Sequence, residues 1–119
     1  MDIKDILTKL HEDIKNHRKR LLYAKQKIEE LQDTMKIWEL EQMTDIADAV
    51  NENGKPIYSN ETKRQAELER RKKESQEYQK MTQELKSQKF EYDLAVIILQ
   101  GMLDQQENAR ALARIEGVM

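Results

Sequence analysis

Apolar side chains recur along the first part of the chain at alternating steps of four and three. They are Ile3, Leu7, Leu10, Ile14, His17, Leu21, Ala24, Ile28, Leu31, Met35 and Trp38. That spacing is the a and d stripe of a heptad repeat, sustained for about five heptads. It predicts one helix over residues 2–50, with His17 and Ala24 as the weak members of the stripe. The pattern stops at Asn51-Glu52-Asn53-Gly54-Lys55-Pro56. Asn-Gly favours a turn with positive φ, and Pro removes a backbone donor and biases its predecessor away from helix. Residues 51–59 are therefore read as a turn. Ser59-Asn60-Glu61 then offers N-cap residues with an acid in the first turn, which starts a second helix over 60–116.

The first half of that second helix, ETKRQAELERRKKESQE, is nearly all polar. Its second half carries a stripe at Tyr78, Met81, Leu85, Tyr92, Val96, Leu99 and Leu103, interrupted by Lys89. Gly101 lies inside the apolar stretch, where a helical glycine costs about 1 kcal/mol against alanine. It is expected to mark a kink or a close helix contact. Two helices of similar length around one break predict an all-α fold: a long antiparallel two-helix coiled-coil hairpin, with residues 1–119 forming one domain. Facing residues would carry numbers that add to roughly 111 in such a coiled coil.

A hairpin of two helices buries a narrow stripe, and this chain has more apolar surface than that. Between Phe90 and Leu103, large apolar residues surround the helix, and a helix apolar all round is a buried helix. We therefore expect assembly into an oligomeric helical bundle, with Phe90, Leu94, Ile97, Ile98 and Met102 as the oligomer interface. Near the turn a similar mismatch arises. Ile37, Trp38, Leu40, Met43, Ile46, Ala47 and Val50 would face the polar run 63–77. The stems of Arg70, Arg71, Lys72 and Lys73 are expected to lie over Trp38, with a cation–π contribution. Each large side chain left uncovered forfeits roughly 1.5–3 kcal/mol. Lys55, Ile57, Tyr58, Trp38 and Met43 are the candidate partner-binding tip.

Charge sharpens this picture. Of 119 residues, 37% are charged and 5% aromatic, with one Pro, three Gly and no Cys. The formal net charge is -2. Such a composition suits long helices, and the lack of Cys excludes a disulfide framework or a thiolate metal site. The signs are segregated along the chain. Residues 15–27 carry Lys15, Arg18, Lys19, Arg20, Lys25 and Lys27 and no acid. Residues 29–52 are acidic apart from Lys36, and 63–73 are basic again. In the antiparallel arrangement the acidic stretch faces 63–73, a pairing that fixes register. The 15–27 cluster has no such counterpart, which makes it a candidate patch for an anionic partner.

No catalytic constellation is visible, and an interaction role without enzyme activity is expected. His11 and His17 lie six residues apart on a helix and point about 240° apart, so they cannot share a metal. Gly54 is isolated, so no glycine-rich phosphate loop exists. No cofactor or metal is expected. The opening residues MDIKDILTKL are charged throughout, unlike a signal peptide. The uncharged stretch Leu94–Leu103 is too short for a bilayer, which takes roughly 20 residues. A cytoplasmic protein without membrane contact is the expectation.

At the turn, GKPIYSNETKRQAEL resembles a segment of small helical coiled-coil accessory proteins of Gram-positive phages and prophages, encoded near replication and recombination genes. The resemblance covers residues 45–70. It implies an accessory or inhibitory protein acting on host or phage DNA-processing or defence machinery, and it carries over no catalytic residue. The overall plan also resembles a β-type prefoldin subunit, which would imply a structural or chaperone-like assembly. The connection here is shorter than the paired strands of a prefoldin body need. A third reading is non-specific nucleic-acid binding through the basic face.

Overall fold

The computed structural model describes residues 2–117. Among them, all regular secondary structure is helical: α1 (Ile3–Asp48), α2 (Glu61–Glu74) and α3 (Gln76–Ile115). Asp2 caps α1, its Oδ1 accepting from the Asp5 amide at 2.9 Å. The α1 stripe expected from the heptad spacing is the covered face. Every member from Ile3 to Trp38 is buried or half-buried, and most residues between them are exposed.

The connection after α1 is held by its own side chains and backbone. Asn51 Oδ1 accepts from the amides of Asn53 at 2.9 Å and Lys55 at 3.1 Å. Gly54 adopts φ +76°, the left-handed conformation that glycine takes at no steric cost. Val50 and Pro56 form an isolated antiparallel bridge, and the Ile57 amide donates to Ala49 O at 3.0 Å. Asn60 then caps α2 through Lys63 N at 2.9 Å.

The expected single helix over 60–116 is two helices. Ser75 breaks it, with ψ at 113°. Its amide still donates to Arg71 O at 2.9 Å, closing α2. Its Oγ accepts from Tyr78 N at 3.0 Å, opening α3 as an N-cap. The Gln79 side chain donates to Lys72 O at 2.7 Å and satisfies one of the last carbonyls of α2. These bonds occupy the Ser75 and Tyr78 amides and the Lys72 carbonyl at the break.

The expected stripe on the second helix is covered at Tyr78, Met81, Leu85, Tyr92, Leu99 and Leu103; Val96 is exposed, as is the interrupting Lys89. From residue 88 onward the covered positions Gln88, Tyr92, Ala95, Leu99, Met102, Gln106, Ala109 and Ala113 alternate by four and three, as on α1. Gly101 marks neither an interruption nor a close approach. α3 runs through it, and no atom beyond its own helix lies within 4 Å of where a Cβ would stand.

The chain divides into two compact units. The first comprises Met1–Lys27 with Gln88–Met119, the second Ile28–Ser87. In the first, Ile14 and His17 of α1 and Ala109 and Ala113 of α3 are buried. His17 Nε2 donates to the Ala95 carbonyl at 2.7 Å, so the imidazole is a satisfied polar member of this core. In the second, Ile46, Leu68, Tyr78 and Glu67 are buried. Its contacts reverse chain order: Glu39 meets Tyr78 and the later Asp45 meets the earlier Arg71.

Candidate interaction surfaces

In the unit Ile28–Ser87, charge is spent internally. Arg71 is the hub. Its Nη1 donates to Asp45 Oδ2 at 2.7 Å and Gln42 Oε1 at 2.9 Å, and its Nε to Glu67 Oε1 at 3.0 Å. Arg70 grips the same Glu67 through Nη2 at 2.6 Å and Nε at 2.9 Å. The Arg70 and Arg71 guanidiniums hold the Glu67 carboxyl at about 2, well below its ordinary 4.5, against the opposing effect of burial. Hydrogen bonding to Glu67 and Glu74 raises Arg70 in turn.

A second cluster joins α1 to both later helices. Tyr78 Oη donates to Glu39 Oε1 at 2.7 Å, and Lys72 Nζ pairs with the same carboxyl at 3.1 Å. The Tyr78 bond, joined by Lys72, lowers the Glu39 pKa. Burial, reinforced by that bond, raises Tyr78. Trp38 packs on the Tyr78 ring at 4.6 Å and 39°. The cation over an aromatic face is Lys72, 5.6 Å above Tyr78 rather than Trp38. The expected cation–π contribution therefore falls on Tyr78, whose ring packs on the indole.

The candidate tip is split by this packing. Lys55 and Ile57 are exposed, and Tyr58 and Met43 are half-buried. Trp38 is engaged with Tyr78 and lies on α1 away from the loop. The Arg64 guanidinium fastens the loop to α2 by donating to Tyr58 O at 3.2 Å.

The unit Met1–Lys27 with Gln88–Met119 is built differently. On α3, Phe90, Leu94, Ile97 and Gly101 each follow a covered position by two residues. They therefore lie roughly 200° around the helix, on the outward face. Phe90 is 69% exposed and Ile97 68%, and Leu94, Ile98, Leu112 and Ile115 extend the same open surface. Of the expected oligomer interface, only Met102 belongs to the covered stripe, where it is half-buried. Phe90, Leu94, Ile97 and Ile98 are exposed, while the covered face mixes Tyr92, Leu99 and Met102 with small or polar Gln88, Ala95, Gln106 and Ala109.

The same unit holds a groove of about 780 Å³ between α1 and α3. Ile14, Leu22 and Leu103 give it apolar walls, and Lys15, Arg18 and Lys19 stand along its α1 side. Arg110 and Glu107, paired at 3.5 Å, border it on α3. Arg20, Lys25 and Lys27 are exposed but do not line it. Among the described residues, none of these six α1 cations is in an ion pair. Also among the described residues, no three His, Asp or Glu side chains gather as metal ligands, and no helix is long and apolar enough to cross a membrane. Four of the five residues expected at the oligomer interface, Phe90, Leu94, Ile97 and Ile98, are exposed, whereas the groove has no counterpart in the sequence pattern. The apolar excess signalled the former, and the basic run only the α1 side of the groove.

The chain matches no protein-family model, and no curated protein or solved structure is similar to it.

Proposed function

We propose that this chain is a non-enzymatic protein-interaction module: an antiparallel coiled-coil hairpin that assembles with further copies through the outward face of α3. The observation that carries this reading is the open apolar stripe Phe90–Leu94–Ile97–Ile98. Contiguous exposed apolar surface of this kind marks interaction sites, and single scattered residues do not. The exposed Lys55 and Ile57, with Tyr58 beside them, form the second contact point, for a protein partner. In the setting that the loop's phage-like sequence suggests, that partner belongs to DNA-processing or defence machinery, and the protein acts as its accessory or inhibitor.

Mass in solution tests the assembly. Light scattering on the parent protein should give more than one copy per particle. The variant Leu94→Glu/Ile97→Glu should run as a single copy with undiminished helical circular dichroism, because neither side chain supports the fold. A single-copy parent, or an unchanged mass in the variant, contradicts the reading. For the tip, recovery of the same partners by an Ile57→Ala/Tyr58→Ala variant would remove it from the account.

A further inference from the structure

Two surfaces on α1 complement each other and are unsatisfied within the chain. One is the groove, with Lys15, Arg18 and Lys19 beside Ile14 and Leu22. The other is the outward face of α1 in the unit Ile28–Ser87. There Ile37, Leu40, Glu41 and Thr44 line a shallow hollow of about 370 Å³. Asp33 lies one turn before Ile37 on that face and Asp48 one turn after Thr44, a spacing of four residues that keeps them in line. All of Asp33, Ile37, Leu40, Glu41, Thr44 and Asp48 are exposed. Among the described residues, Asp33, Glu41 and Asp48 make no ion pair, whereas Glu39 and Asp45 on the other side of the helix are held by Lys72 and Arg71.

The two faces match in pattern as well as in sign. Each has an apolar centre beside which one sign of unpaired charge predominates. On the groove Leu22 stands with Lys15, Arg18 and Lys19 alongside, Glu107 being paired with Arg110; on the other face Ile37 and Leu40 stand with Asp33, Glu41 and Asp48 alongside. Complementary potentials of this form steer association and fix orientation, and the apolar centres supply burial. Both faces lie on one unbroken helix, Ile3–Asp48, so α1 does not fold back on itself to join them.

We propose that the basic groove receives the acidic face 33–48 of a second copy of this chain. The exposed Leu22 covers Ile37 and Leu40, and Lys15, Arg18 and Lys19 meet Glu41 and the flanking aspartates. This contact is separate from the α3 stripe and stands whether or not that stripe self-associates.

A charge-swap experiment decides it, with Ile97→Glu present throughout to silence the α3 surface. Sedimentation velocity compares that parent with R18E/K19E, with D33K/E41K, and with an equal mixture of the two. The parent should associate in a salt-sensitive way. Each reversal alone should raise the half-association concentration on the order of tenfold or more, since like charges then face each other. The mixture should recover association, because the reversed groove of one variant meets the reversed face of the other, and the native groove of the second meets the native face of the first. R18K/K19R keeps the charge and should associate like the parent. A parent that stays single at every concentration, reversals that change nothing, or a mixture that fails to recover would each overturn the proposal. So would a salt-sensitive complex with a DNA duplex, lost in R18E/K19E, from a chain that does not self-associate: the groove would then be a phosphate site.

Discussion

The two units of this chain use similar residues to opposite ends. In Ile28–Ser87, arginine, lysine, glutamate and aspartate turn on one another. Arg71 holds Asp45 and Glu67, and Lys72 holds Glu39 and Glu69. In the other unit the cations of residues 15–27 are in no ion pair among the described residues, and Phe90, Leu94 and Ile97 lie in the open. One region turns much of its charge on its own cohesion, though Ile37 and Leu40 stay exposed on its outward side. The other mixes alanine, glutamine and a histidine with Ile14, Tyr92 and Leu99 on its covered face and leaves Phe90 and Ile97 facing out.

The largest expected effect breaks the cohesive unit directly. Ile46 is fully buried, at 0% exposure. Ile46→Ala should cost about 2–5 kcal/mol, read as a lower denaturant midpoint by the fluorescence of Trp38, the only tryptophan. A loss below that range would mean that the ionic network, rather than burial, carries this unit.

Acid separates the two regions next. Glu67 is held at about 2 against an ordinary 4.5. Its folded pKa is depressed, so its contribution is fully present above about pH 4.5 and disappears as pH falls toward about 2. The Trp38 signal should report declining stability across that window, and Glu67→Gln should flatten the decline. Glu39, lowered in the same direction, leaves a residual slope. An unchanged pH profile in Glu67→Gln would show that the Arg70–Arg71 grip on this carboxylate is not what stabilises the unit.

The smallest effect is a gain. Gly101 is helical, with open space where a Cβ would sit. Gly101→Ala should stabilise the single chain by about 0.5–1 kcal/mol, measured by thermal circular dichroism at low concentration. If a second helix packs close on α3 there, the same substitution weakens association at high concentration. Opposite signs at the two concentrations would place Gly101 inside the assembled face.

Much of this architecture can be read from residue order alone. The α1 stripe from Ile3 to Trp38, the Asn51–Pro56 turn and the Asn60 cap follow from spacing and turn chemistry. So does the meeting of acidic 29–52 with basic 63–73, realised in the Asp45–Arg71 and Glu39–Lys72 pairs. The Ser75 break was hidden because it carries neither Gly nor Pro and sits in a polar run. Its only signature is a serine that can cap, followed by Glu77 in the first turn. The α3 stripe is legible at Tyr78, Met81, Leu85, Tyr92, Leu99 and Leu103, all covered, and fails at Val96. Gln88, Ala95, Gln106 and Ala109 are covered as well, positions to which hydrophobicity alone does not point. The groove depends on two segments distant in sequence, which no local pattern discloses.

The central claim is that the outward face of α3 is covered by another chain in solution. The protein has no cysteine, so Ile97→Cys provides a single thiol at the centre of that face while keeping it apolar. Its rate of alkylation, followed from dilute to concentrated protein, measures the covering directly. The account predicts a rate near that of an exposed thiol when dilute, falling as concentration rises and assembly proceeds. A thiol that reacts at the same fast rate at every concentration would contradict it.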